Sequence, residues 1–167
     1  MVGVFSNYQF VVMGIRSIVG ALYEAIRGKI GHNIQTEDKN MQYRDFIIHS
    51  WLNAWIIGVC ICCFYYLVQD FIGIWMGDVE RLPDSVLWIL IVNFYLEEAR
   101  NATKVYRESA GLFQNIKIVI LLKGFFNIIL SYFLGVKFGL MGILVATSIS
   151  TSVTLFWYEP LIVYRYF

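Results

Sequence analysis

The chain has 167 residues, 59% of them hydrophobic and only 15% charged, against roughly 25% charged in a soluble globular domain. That composition excludes a soluble core of this size, and a net charge of +1 excludes bulk attraction to nucleic acid or to acidic substrates. Long uncharged runs matching a bilayer, about 20 residues per helix, accommodate it, so the expected class is all-α: a polytopic membrane protein with about five transmembrane helices in a single membrane domain.

The first predicted helix covers residues 4–26, is amphipathic, and carries Arg16 near its middle. The second covers 46–68 (FIIHSWLNAWIIGVCICCFYYLV) and has no formal charge. The third covers 85–108, beginning as an apolar span and running into NFYLEEARNATKVYRES. The fourth covers 116–134 and the fifth 140–158, joined by the tight GVKFG. Pro83 and Pro160 stand at segment edges, where a helix can start or stop. Arg16, Glu24 and Arg27 interrupt the first apolar stretch and no small-residue cleavage site follows, so no cleavable signal is expected. Cys60, Cys62 and Cys63 share one apolar run without His or acidic neighbours, which predicts buried small hydrophobes rather than a metal site or a disulfide.

Basic residues set the expected orientation. Arg27, Lys29, Lys39 and Arg44 follow the first segment, and Arg100, Lys104, Arg107 and Lys117 surround the third join, whereas the alternate connections hold only Arg81 and Lys137. The positive-inside bias puts the rich connections and the tail with Arg165 in the cytoplasm and the N-terminus outside. An odd number of spans starting outside without an exported signal predicts the later part of a longer protein.

Ionisable groups at membrane depth cost a few kcal/mol or more each and face protein or water. Arg16 lies about 16 Å along its helix, which favours a lumen-facing role. Glu24 and Arg27 are spaced to pair at the cytoplasmic edge. Lys123 interrupts VILLKGFFNIILSYF and shares a stripe with Asn127 and Ser131; a cavity and snorkelling to the interface both suit it. On a continuous third helix Asn93, Glu97, Arg100, Lys104 and Arg107 fall within an arc of roughly 80°. Either that face borders an aqueous cleft at the inner mouth, or the span ends near Glu98 and an amphipathic helix follows on the interface. The hydroxyls of the fifth segment, Thr147 to Thr154, predict close helix packing. His49 and Asn53 form a polar patch on the second helix. No Ser-His-Asp set, metal spacing, P-loop or carboxylate pair with a pocket can be assembled, so neither an enzyme nor a cofactor is expected.

The strings VGVFSNY, IGHNIQTEDKN, FIGIWMGD, NFYLEEAR with GLF, KFGLMGILVATSIST and WYEPLIVYRYF resemble the later half of the bacterial polysaccharide flippases. These are the Wzx-type oligosaccharide-lipid exporters of the multidrug/oligosaccharidyl-lipid/polysaccharide superfamily. The resemblance implies two six-helix bundles around a V-shaped cationic cavity, of which this chain matches about the eighth to twelfth helices, without the first bundle and the seventh. It implies transport of an undecaprenyl-diphosphate-linked oligosaccharide across the bacterial inner membrane for O-antigen, capsule or exopolysaccharide assembly. Arg16, Lys123 and Arg100 would hold the diphosphate, with Asn93, Glu97, Lys104, Arg107 and Asn127 as the polar stripe. The partners implied are that lipid-linked glycan, membrane lipid, a missing N-terminal half and a glycan polymerase. The rival readings are a drug or cation antiporter of the same superfamily, a membrane-embedded glycan polymerase or acyltransferase, and a non-transporting scaffold or remnant.

Overall fold

A computed structural model describes residues 2–77 and 81–167; Asp78, the last residue of the FIGIWMGD string, lies outside them. The described residues are almost wholly helical, in the order α1 (Val2–Thr36), α2 (Lys39–Met76), α3 (Asp84–Glu98), α4 (Asn101–Ser109), α5 (Phe113–Phe138), α6 (Leu140–Val153) and α7 (Leu155–Tyr166). α3 with α4 and α6 with α7 are broken rods, so the elements group into five rods among the described residues. Four stretches are long and apolar enough to cross a membrane: Gly3–Thr36, Lys39–Met76, Ile116–Phe138 and Leu140–Tyr166. The chain is an all-α, multi-pass membrane protein.

The helices outrun the apolar segments that predict them. The helix expected at 4–26 continues to Thr36, and the one expected at 46–68 starts at Lys39 and ends at Met76. An apolar run reports the hydrocarbon layer, about 30 Å, while a helix continues through water until it is capped. Here the caps are local. Asp38 accepts from the Met41 amide at 3.2 Å, and the Gln42 side chain donates to the Ile34 and Glu37 carbonyls at 3.0 and 2.7 Å. The charged stretch GKIGHNIQTEDKNMQYRD is therefore mostly helix, reduced to a turn at Glu37 and Asp38.

α1 and α2 meet along a seam of heptad spacing. The buried residues of α1 are Tyr8, Val12, Val19, Tyr23 and Ile30, and those of α2 are Gln42, Phe46, Asn53, Ile57, Phe64, Val68 and Ile72. Steps of four and seven keep one stripe facing the partner helix, as in knobs-into-holes packing. At the far end the Tyr8 hydroxyl donates to Gln69 Oε1 at 2.5 Å and accepts from the Leu82 amide at 3.2 Å, which ties the connection to α3 onto the pair.

The rod α3–α4 is central. α3 packs on α2 and α6, and α4 on α1, α2 and α7. Val86, Leu87, Leu90, Ile91 and Phe94 of α3 are buried, and Phe94 stacks on Phe64 with ring centres 6.5 Å apart. Around this rod the outward faces are greasy. On α5 Leu121, Phe125, Ile128, Tyr132, Phe133 and Val136 are exposed, as suits a surface whose solvent is hydrocarbon. Cys62 and Cys63 are also exposed and Cys60 is only half-buried. The expectation of buried cysteines is thus corrected: they lie on the apolar outer face of α2, where a run without charges needs no protein cover.

The third, fourth and fifth predicted segments also change. The helix expected over 85–108 is broken at Ala99 and Arg100, the one at 116–134 extends over Phe113–Phe138, and the one at 140–158 divides at Thr154 and reaches Tyr166. At the second break Thr154 adopts φ −106°, ψ −84°, and its hydroxyl donates to the Ser150 carbonyl at 2.5 Å. Such back-bonding bends helices, and Pro160 withholds an amide from the following turn.

α5 and α6 form a hairpin closed by glycine. Gly139, between them, has φ +60°, a conformation that side chains resist. At Gly142 an added Cβ would run into the Leu134 carbonyl of α5. The hydroxyl-rich face of α6 then serves packing. Asn127 donates to Thr147 Oγ1 at 3.2 Å and Ser150 Oγ at 3.1 Å, and Asn93 of α3 donates to the Leu144 carbonyl at 3.0 Å while accepting from Ser148 at 3.1 Å.

Candidate functional site: a charged cluster at a broken helix

A break in a membrane helix releases backbone carbonyls that hydrocarbon cannot satisfy. At the α3–α4 break these are the carbonyls of Leu96, Glu97, Glu98 and Ala99, and each is taken by a side chain. Arg100 Nε donates to Leu96 O at 2.9 Å and Lys104 Nζ to Glu97 O at 3.1 Å. Asn53 of α2, itself 1% exposed, donates to Glu98 O at 3.1 Å and Ala99 O at 3.0 Å, and accepts from the Tyr23 hydroxyl at 2.8 Å. Asn53→Leu keeps the volume but strips two carbonyls and a hydroxyl of their partner. With about 1–3 kcal/mol for each buried group left unsatisfied, we expect a clear fall in the unfolding midpoint in detergent; an unchanged midpoint would show that the break does not need this clamp.

Charges gather round the same break. On one side Arg16 of α1 lies 2.9 Å from Glu98, whose other oxygen accepts from Asn101 at 2.8 Å. On the other side the Arg100 guanidinium pairs with Glu97 at 2.7 Å and with Glu159 of α7. Glu159 also takes Arg107, so one carboxylate joins two arginines, and all three groups are buried. Arg107 reaches Glu108 at 3.0 Å, Glu108 reaches Arg27 of α1 at 2.9 Å, and Arg27 reaches Glu24 at 2.6 Å. Lys104 lies 3.3 Å from Glu97, and Lys123 of α5 closes on the same carboxylate at 3.7 Å.

The sequence-predicted residues occupy distinct places in this cluster. Asn93, Glu97, Arg100 and Arg107 point from the central rod toward α5, α6 and α7, where their partners are Ser148, Lys123 and Glu159. Asn127 is engaged with α6. Arg16 reaches the rod from α1, on the side of Glu98. The three cations expected to bind substrate differ most in access: the side chains of Arg100, Lys123 and Arg16 are 2%, 21% and 38% exposed. Arg100 is committed on every nitrogen to Leu96, Glu97 or Glu159. Lys123 has the longest pairing of the cluster, and Arg16 Nε meets Glu98 as a charge pair without hydrogen-bond alignment.

Glu159 and Glu98 escape the sequence reading. The signal for Glu159 is a lone carboxylate in an apolar stretch beside a proline, in WYEPLIV, which the cost of burying charge marks as paired or functional. Glu98 adjoins Glu97 but points to the opposite neighbour, and only the packing of α1 reveals it. His49, of the predicted polar patch, donates through Nδ1 to the Asp45 carbonyl at 2.7 Å and lies 3.0 Å from the Tyr106 hydroxyl.

Comparison with protein-family models, curated proteins and solved structures yields no match.

Proposed function

We propose that this chain forms part of a flippase that carries an undecaprenyl-diphosphate-linked oligosaccharide from the cytoplasmic to the outer leaflet of the bacterial inner membrane, with the N-terminus outside. The observation that supports the reading is the cluster itself. In a chain with few charges, cations of α1, α4 and α5 converge on the Glu97–Glu98 pair beside a helix break. Discontinuous helices lined with ionisable groups are where membrane transporters place their substrate sites. Within the ion pairs around the break, Arg16, Arg27, Arg100, Lys104, Arg107 and Lys123 face Glu24, Glu97, Glu98, Glu108 and Glu159, an excess of one cation among the described residues.

Arg100 and Arg107 then hold the rods together, while Arg16 and Lys123 are the cations free to exchange a carboxylate for a diphosphate. A phosphate oxygen is a strong acceptor, and a charge-assisted bond to it gains strength where water is scarce. Release follows when the bundle rocks and hydrates the cluster. Arg16→Gln and Lys123→Gln should each abolish surface glycan in cells that depend on this chain, with normal membrane insertion by protease protection. Normal display in both variants would sink the reading. Export of a drug in place of glycan would favour the antiporter.

A further inference from the structure

The two helix breaks differ in what holds them. At α3–α4 each released carbonyl is taken by a side chain, whereas at α6–α7 the carbonyls of Thr151, Ser152 and Val153 meet no donor among the described residues. The amides that would bond them in a continuous helix belong to Leu155, Phe156 and Trp157, the first residues of α7. Thr154 makes the difference, because its φ of −106° and ψ of −84° each lie about 40° from helical values. Returning it to those values would restore three backbone bonds and turn Leu140–Tyr166 into one rod.

Such a rod has a place to lie. α6 packs back along α5 from the Gly139 turn, so a straight continuation carries α7 along the first half of α5. Ile116 of α5 already packs with Leu155 and Ile162 of α7. At the break itself α5 and the bent rod part, leaving a gap of about 290 Å³ where Val119, Leu122 and Phe126 face Val153, Thr154 and Trp157. Straightening would close that gap.

What keeps α7 bent is its seat on the central rod. Glu159 pairs with Arg100 and Arg107. Beyond it Tyr164 packs edge-on against Phe46 of α2 at 5.4 Å, and Phe167 against Tyr106 of α4 at 6.2 Å. If Glu159 leaves, Arg100 keeps Glu97 and Arg107 keeps Glu108, so neither arginine is stranded.

We propose that Thr154 is a two-state hinge and α7 a strap, latched on the central rod by Glu159. On release α7 straightens onto α5 and widens the groove that it lines with Ala54 and Gly58 of α2. The α3–α4 break, clamped by Asn53, stays fixed. Hinges of this kind turn on a few element-terminal residues that absorb the change in φ and ψ. The device stands whether or not the chain moves glycan.

The test uses the full chain in lipid nanodiscs, with its three cysteines changed to serine. Spin labels go in pairs on the exposed positions of Lys29→Cys, Gln114→Cys and Arg165→Cys. Pulsed electron paramagnetic resonance should show one main arrangement and a minor population that is longer between 29 and 165 and shorter between 114 and 165. Thr154→Ala, whose lost hydroxyl bonds only within its own rod, should raise the minor population about threefold, the difference in helix propensity. Glu159→Gln should raise it about tenfold, the worth of one charge-assisted bond. The distance between 29 and 114 should be the same in all three proteins. A single, unchanged distance between 29 and 165 in the parent and both variants would overturn the proposal. So would lengthening there without shortening between 114 and 165, or a change between 29 and 114. If Glu159→Gln fails to fold, Thr154→Ala decides.

Discussion

Glu159→Gln should unfold the protein at markedly lower denaturant than the parent chain. The glutamine matches the shape of glutamate but leaves the inward nitrogens of Arg100 and Arg107 without a counter-charge, and both arginines are buried. Breaking a buried ion pair by removing one partner costs about 3–5 kcal/mol, because a charge stays in a low-dielectric site. Each arginine keeps a second carboxylate, Glu97 or Glu108, which places the expectation at the lower end of that range. The triple change Arg100→Met, Glu159→Leu and Arg107→Met should recover most of the loss, since apolar replacement of a buried ionic set is often neutral. Unfolding in a graded series of sodium dodecyl sulfate reads all three proteins. A Glu159→Gln midpoint equal to the parent's would mean that α7 is not held by this carboxylate.

The second large effect is steric. Gly142→Leu should separate the α5–α6 hairpin, because even its Cβ would occupy the space of the Leu134 carbonyl, and backbone cannot swing aside as a side chain can. Overpacking costs about 1–3 kcal/mol where neighbours can adjust, and here more is expected. Gly135→Ala is the internal control. Its Cβ would meet Ile143 Cγ1 at 3.2 Å, a side-chain atom that a small shift or rotamer change moves away. Cysteines placed at Asn127 and Thr147, which already touch, should cross-link in the parent and in Gly135→Ala but not in Gly142→Leu. Equal cross-linking in all three would refute a glycine-dependent hairpin.

Much of the fold was legible because apolar runs report bilayer crossings directly, and the five predicted segments correspond to the five rods. Their ends were not, since helices continue into water until local caps stop them: Asp38 caps the start of α2, and Gln42 reaches back to the last carbonyls of α1 and the turn. The break at Thr154 was also hidden, while the one at Ala99 and Arg100 falls where one of the two readings ended the span, near Glu98. NFYLEEARNATKVY contains no proline, and its interruption stands because Asn53, 45 residues away, meets the carbonyl it exposes. The spacing of Asn93, Glu97, Arg100 and Arg107 did mark one face. What that face meets depended on Glu159, 52 residues beyond Arg107, and no local period encodes so distant a partner. Arg16 could be singled out by depth alone, but its pairing with Glu98 required the seat of α1 against α4.

In the proposed function Arg16 and Lys123, the accessible cations of the cluster, recognise a diphosphate on a polyisoprenoid lipid. Native mass spectrometry of the purified chain with undecaprenyl diphosphate, and with undecaprenol as the uncharged comparison, tests it most directly. The diphosphate should bind at least about tenfold more tightly than the alcohol, the worth of one charge-assisted bond, and Arg16→Gln and Lys123→Gln should each erase most of that difference. Equal binding of diphosphate and alcohol, or a preference that both variants retain, would contradict it.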